Sequence, residues 1–130
     1  MKIALLGYGK MGKEIEKIAV SRGNEIVLKI GADNLADLTQ ENLSKADVAI
    51  EFSTPDTAYS NIQLCFTSNV PVVVGTTGWL DKMEDCITQT KKGAGLFYAS
   101  NFSVGVNVFF ELNKKLAELM RPYDGYKVEM

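Results

Sequence analysis

The 130-residue chain contains no histidine. That zero removes Ser-His-Asp and Cys-His nucleophile machinery and any His-ligated zinc site, so no metal site is expected. A general acid or base drawn from these residues has to be Asp, Glu, Lys, Tyr or Cys. Cysteine is nearly absent as well. Cys65 and Cys86 are the only two and form no CxxC pair, which predicts reduced thiols and a cytoplasmic location rather than a disulfide scaffold. Long apolar runs are missing: Ile3-Ala4-Leu5-Leu6 stops at Gly7. Neither a signal peptide nor a membrane span is expected from runs of that length. Nor is there an excess of one charge. Fourteen Lys+Arg against sixteen Asp+Glu leave a net charge of −2, which offers no basic footprint for nucleic acid.

What is present is ordinary for a globular domain. Hydrophobic residues make up 46% and charged residues 23%, and a chain of this size is long enough to bury a core without staples. Short apolar runs alternate with amphipathic stretches. Strands are predicted at Ile3–Leu6, Ile26–Ile30, Val48–Phe52, Val70–Val74 and Leu96–Ala99, with a sixth extended run over Tyr126–Met130. Between them, Met11, Ile15, Ile18 and Ala19 recur at helical spacing until Gly23-Asn24 stops them. Leu35–Leu43 is polar and reads as a short helix or a loop. Thr54 is a good N-cap, and Pro55 takes the first helical position, where its missing N–H costs nothing. Ala58, Ile62, Cys65 and Phe66 then form an apolar stripe, which reads Cys65 as a small core hydrophobe. Trp79, Leu80, Met83 and Ile87 mark a further helix. Phe109, Leu112, Leu116, Leu119 and Met120 mark the last, ended by Pro122 and Gly125.

Strands alternating with helices imply βαβ units. The fold class is therefore α/β, a doubly wound parallel sheet of the Rossmann type, with a switch point beside strand one. Residues 1–125 read as one dinucleotide-binding domain and 126–130 as the start of a second.

Gly7-Tyr8-Gly9-Lys10-Met11-Gly12 is G-x-G-x-x-G, directly after a strand and opening a helix, which is the context the motif requires. Gly7 permits the tight turn, Gly9 lets a pyrophosphate approach the backbone, and Gly12 lets helix pack on strand. Lys10 either reaches a phosphate or stays solvated. An acid that reads the ribose belongs about 20 residues further on. Asp33 is the best one available, although it lies past the strand end. No arginine stands nearby for a 2′-phosphate; Lys29 is the nearest cation, and NAD against NADP stays open. Ser53-Thr54-Pro55, Gly75-Thr76-Thr77-Gly78 and Ala99-Ser100-Asn101-Phe102-Ser103 follow strand C-termini, the edge where such sheets bind ligands. Together they suggest a nicotinamide and ribose site. Glu51, inside a strand before this rim, is either structural or a supporting acid.

These residues resemble the dihydrodipicolinate reductase family of bacterial lysine biosynthesis. The resemblance covers the whole chain. It is carried by Gly7–Gly12, by Glu-Phe-Ser-Thr-Pro at 51–55, by Val-Gly-Thr-Thr-Gly at 74–78, by Ala-Ser-Asn-Phe-Ser-Val-Gly-Val-Asn at 99–107 and by Tyr-Lys-Val-Glu-Met at 126–130. It implies that Gly7, Tyr8, Gly9, Lys10, Met11 and Gly12 hold a pyrophosphate, and that Gly75, Thr76 and Thr77 line the nicotinamide ribose, with Thr77 near substrate; Ser53 and Thr54, on the same rim, are further cofactor-binding candidates. Ala99, Ser100, Asn101 and Phe102 would contact the nicotinamide. The implied reaction is hydride transfer from NADH or NADPH to a cyclic imine, 4-hydroxy-tetrahydrodipicolinate. The dinucleotide and that small molecule are the expected partners, with no nucleic acid and no membrane.

Two departures accompany the resemblance. Relatives tend to carry an acid at or near Gly31, where this chain has glycine. Relatives also run to roughly twice this length, and the paired histidines, the lysine and the Asp-Ala-Pro-Ser-Gly-Thr segment that clamp substrate are not among these residues. The expectation is a cofactor half, cut after the sixth strand begins, that binds dinucleotide without turnover. The whole protein is expected to be a homotetramer, and the 130-residue chain to dimerise or self-associate through bare apolar surface. The rival reading is a free-standing nucleotide-binding or redox-sensing module. A homoserine or semialdehyde dehydrogenase fits the 99–107 segment poorly.

Overall fold

A computed structural model describes residues 1–126 of the chain. These divide into two compact units, one of Met1–Ser100 and one that begins at Asn101.

The first unit is a five-stranded parallel sheet in the order β2-β1-β3-β4-β5. Its strands are β1 (Lys2–Leu6), β2 (Glu25–Ile30), β3 (Val48–Glu51), β4 (Val72–Val74) and β5 (Leu96–Tyr98). Helices α1 (Lys10–Ser21), α2 (Gln40–Leu43), α3 (Pro55–Thr67) and α4 (Met83–Thr90) lie between them. The chain leaves β1 for β2 on one side and for β3 on the other, so the order reverses beside β1 and opens a crevice there. Alternation along β1 feeds two cores. Ile3 and Leu5 face Ile15 and Ala19 of α1, whereas Ala4 and Leu6 face the larger cluster with Ala58, Ile62, Cys65 and Phe66 of α3. This is the doubly wound α/β sheet expected from the alternation of elements.

Local chemistry sets the element ends. Thr54 precedes α3, and Pro55 opens it. The Thr57 hydroxyl accepts the Thr54 N–H at 3.4 Å. At its far end Asn69 turns left-handed (φ 55°), and Val70 N–H bonds back to Cys65 C=O at 2.9 Å. Val70 is thereby taken by the helix terminus, and β4 starts at Val72 rather than at Val70. Gly23, with φ 76°, ends α1. The polar 35–43 stretch becomes a 3-10 turn, Leu35–Asp37, followed by the single-turn α2.

Two apolar stripes face differently from the sequence expectation. On α1, Met11 and Ile18 are exposed, and Gly12, Ile15 and Ala19 turn inward instead. Gly12 is buried on this face, where an added Cβ would stand 2.5 Å from Gly7 C=O, so only glycine lets α1 sit this close to the turn. Near α4, Leu80 and Ile87 are exposed, while Trp79 and Cys86 are buried. The inward face runs through Trp79, Met83 and Cys86 at i, i+4 and i+7, one residue out of register with Leu80 and Ile87. Trp79 is fixed by its indole N–H, which donates to Thr76 C=O at 2.7 Å, and by an edge-on contact with Tyr98.

In the second unit, α5 (Val104–Met120) starts at Ser103, whose hydroxyl accepts the Val106 N–H at 3.4 Å. None of its residues is buried. The extended run expected over 126–130 lies, Tyr126 apart, outside the described residues.

Candidate functional site

The C-terminal ends of β1, β2 and β3 surround one cleft of about 920 Å³, within the range of small-molecule sites. Its walls come from the glycine loop (Gly7, Tyr8, Gly9), from Lys13, from the end of β2 and its turn (Lys29 to Leu35), and from Phe52, Ser53, Thr54, Thr57 and Asn61. A second cavity, about 710 Å³, sits at the opposite edge near Pro71, Gly93 and Gly95, away from every sequence-predicted site residue.

The glycines divide by what forces them. Gly7 has φ 101°, and a Cβ there would stand 2.0 Å from Phe52 C=O. A Cβ on Gly12 would stand 2.5 Å from Gly7 C=O. The fold itself demands both. Gly9 is different: its φ is −88° and a Cβ would meet nothing within 4 Å. No contact among the described residues calls for a glycine there, and Gly9 lines the cleft. Gly9 is also the N-cap of α1 and offers no side chain to the helix's first N–H groups. An uncapped N-terminus beside open backbone is a ready anion cradle.

The loop is pinned from behind. Gly7 N–H and Tyr8 N–H both donate to Ile30 C=O, at 2.9 and 2.7 Å. The turn after β2 is stapled by Asn34, whose Oδ1 accepts the Gly31 N–H at 2.8 Å and whose Nδ2 donates to Lys29 C=O at 2.9 Å. This folds Asp33 back, so that its Oδ1 stands 3.3 Å from where a Cβ at Gly31 would be.

Beneath the rim lies Glu51, fully buried. Its Oε1 accepts the Ser53 N–H at 3.1 Å, the Ser53 hydroxyl, and Asn61 Nδ2 at 3.3 Å. Its Oε2 has no hydrogen-bond partner among the described residues. Ser53 N–H also donates to Thr76 Oγ1 at 2.8 Å, and the Ser53 and Thr57 hydroxyls lie 2.9 Å apart. One carboxylate thus ties together the loops after β3 and β4 and the first two turns of α3. The same charge, after burial itself, helps push the Cys65 thiol up to about 12. Cys65 and Cys86 are both free and buried.

Of the sequence-predicted residues, Gly7, Tyr8, Gly9, Asp33, Ser53 and Thr54 line the cleft. Gly12 supports it from inside. Lys10 and Met11 are exposed at the start of α1, outside the cleft lining. Thr76 is buried against Ser53, Gly75 carries the Phe52 ring, and Thr77 is exposed. Ala99 N–H extends the sheet by bonding Val74 C=O at 3.3 Å, with Ser100 next. Asn101 and Phe102 belong to the second unit, where Asn101 Oδ1 accepts the Ser103 N–H at 2.8 Å. Lys13, Thr57 and Asn61 were not anticipated. The i, i+4 spacing of 57 and 61 on a helix entered from Ser53 was the available signal.

Comparison with known proteins agrees with this arrangement. The family described as dihydrodipicolinate reductase, N-terminus, matches residues 1–102. A 4-hydroxy-tetrahydrodipicolinate reductase from Christiangramia forsetii is 50% identical over 131 aligned positions, covering 100% of this chain and 54% of that protein. The solved structure of a dipicolinate-bound dihydrodipicolinate reductase from Paenisporosarcina sp. TG-14 superposes with a TM-score of 0.71 at 26% identity, covering 95% of this chain and 54% of that one. The chain spans about half the length of both relatives. With its glycine loop, switch-point cleft and matched residues, the chain belongs to the dihydrodipicolinate reductase family, to whose N-terminal region it corresponds.

Proposed function

We propose that this chain is the dinucleotide-binding part of a 4-hydroxy-tetrahydrodipicolinate reductase of lysine biosynthesis, and that the cleft beside β1 takes NADH or NADPH. The carrying observation is Gly9: a glycine that the fold leaves unconstrained, at the uncapped start of α1, beside open cleft. That space suits a pyrophosphate against backbone. When bound, the dihydronicotinamide supplies the hydride.

The chain's own residues bind and orient. The first N–H groups of α1 face the phosphates, and Lys13 on the cleft wall, rather than Lys10, reaches the phosphates. Asp33 accepts a ribose hydroxyl. Ser53 and Thr76, locked through Glu51, give the nicotinamide half a rigid floor, with Thr54, Gly75, Thr77, Ala99 and Ser100 at the same strand ends. The segments that clamp substrate in the family are not among these residues, so binding without turnover is the expected behaviour of the 130 residues alone.

Calorimetric titration with NADH and with NADPH tests this. Gly9→Ala is the informative variant. A Cβ fits the protein at that position, so the circular dichroism and melting temperature should hold while dinucleotide affinity falls by about tenfold or more. Undiminished affinity in a folded Gly9→Ala protein, or imine reduction by the 130-residue chain, would overturn the reading.

A further inference from the structure

Lys29 is the only cation of β2, and it lines the cleft beside Gly31 and Asp33. By position it is the residue to meet a phosphate on the adenosine ribose. It is already engaged. Its Nζ lies 3.2 Å from Glu16 Oε1 and 5.2 Å from the centroid of the Tyr8 ring. The other oxygen of Glu16 accepts the Tyr8 hydroxyl. Tyr8 from the glycine loop, Glu16 from α1 and Lys29 from β2 thus form a closed triangle. It is partly withdrawn from solvent: the side chains of Glu16 and Lys29 are 25% and 47% exposed.

The charges at this end of the cleft then count against a phosphate. Lys29 is neutralised by Glu16, and the Asp33 carboxylate stands over Gly31. A dianion there would meet one compensated ammonium and two carboxylates. A vicinal diol would meet an acceptor in Asp33 and nothing repulsive. The Tyr8 hydroxyl first, and Lys29 with it, hold the Glu16 carboxyl below its ordinary range, so it is ionised at neutral pH.

We propose that Glu16 is a specificity-determining residue: by pinning Lys29 against Tyr8 it withholds that ammonium from the ribose 2′ position and makes the site select NADH over NADPH. The inference rests on the cleft being the dinucleotide site proposed above. No part of it requires Glu16 to touch the dinucleotide; it acts through Lys29.

The test is the ratio of NADPH to NADH dissociation constants, measured by calorimetry on the full chain. The wild type should favour NADH. Glu16→Gln keeps the side-chain shape and removes the charge, and should move the ratio about tenfold towards NADPH by freeing one ammonium for charge-assisted bonding. In a Lys29→Met background the same Glu16→Gln change should leave the ratio where it was. A merely structural role for Glu16 would weaken both dinucleotides together and leave the ratio fixed; that result overturns the proposal. So does a wild type that prefers NADPH, and so does a ratio shift that survives Lys29→Met. Binding of neither dinucleotide by folded wild-type protein would instead remove the cleft assignment, and this inference with it.

Discussion

Helices α3 and α5 carry the same kind of pattern and end in opposite environments. On α3, Ala58, Ile62, Cys65 and Phe66 are all buried. On α5, Phe109, Leu112, Leu116 and Leu119 recur at similar spacing, and all four are exposed. The difference lies in the connections. α3 runs from β3 to β4, two hydrogen-bonded neighbours in one sheet, so a short crossover at each end presses its stripe onto the sheet. α5 follows β5, and no strand follows it among the described residues. An apolar stripe declares that a helix needs a partner. Only the connectivity supplies one.

The widest gap between the two helices should appear on truncating their apolar faces. Ile62→Ala, at a fully buried site, should lower the unfolding free energy by about 3 kcal/mol. Leu112→Ala should stay within about 0.5 kcal/mol of wild type, as an exposed substitution does. Urea denaturation measures both. An equal cost at Leu112 would break the comparison, because it would mean that α5 is covered in solution, as self-association through that face would require. Sedimentation over a range of concentrations then identifies the cover.

The polar faces give a second, smaller contrast. Asn61 of α3 reaches across to Glu51 Oε1 and Ser53 Oγ at 3.3 and 3.2 Å, whereas the Asn107 side chain of α5 bonds nearby backbone, at Asn101 and Ser103 C=O. Removing Asn61 strips a donor from a buried carboxylate. Asn61→Ala should therefore cost about 2 kcal/mol and Asn107→Ala well under about 1 kcal/mol. Asn61→Ala should also weaken dinucleotide binding, since Ser53 loses part of its anchor. A reversed order of the two would show that the Glu51 network holds nothing together.

The thiols sharpen the α3 side further. Cys65 and Cys86 are buried and both are pushed above their ordinary value, burial being the main cause. Neither should react with a thiol reagent until denaturant is added, and two should react afterwards. The sign of the pH effect follows. A thiol kept neutral by the fold contributes stability in full below the ordinary value of 9.0, and the contribution from Cys65 is lost as pH rises towards about 12. The urea midpoint should fall modestly on the alkaline side of 9.0. Reaction of Cys65 in native protein at neutral pH would show the α3 face opening.

Much of this was legible in the linear order. The five strands, the glycine loop, Thr54-Pro55 and the Gly23 stop are local signals, each contained in a few consecutive residues, and each is present, although β4 starts at Val72, two residues later than read. The misreadings share a cause. Met11 and Ile18 look as apolar as Ile15, but α1 turns Gly12 inward, where only glycine lets the helix sit this close to Gly7 C=O, a contact across the turn. Leu80 and Ile87 fit a helical period, but the inward face runs one residue earlier, through Trp79, Met83 and Cys86, because the Trp79 ring is held against Thr76 C=O and Tyr98. Lys13, Thr57 and Asn61 entered the cleft only through the meeting of α1, α3 and three strand ends.

By itself, then, the sequence determined the alternation of elements, the loop able to approach a phosphate and the absence of histidine chemistry, because backbone preference and periodicity act over a handful of residues. Tertiary structure decided which charges face one another. Residues 16 and 29 are remote along the chain, as are 51, 61 and 76. Parallel pairing of β1 with β2 brings Lys29 within 3.2 Å of Glu16, and pairing of β3 with β4 brings the Ser53 N–H, held by Glu51, within 2.8 Å of Thr76 Oγ1, separations over which Coulombic and hydrogen-bond energies change steeply.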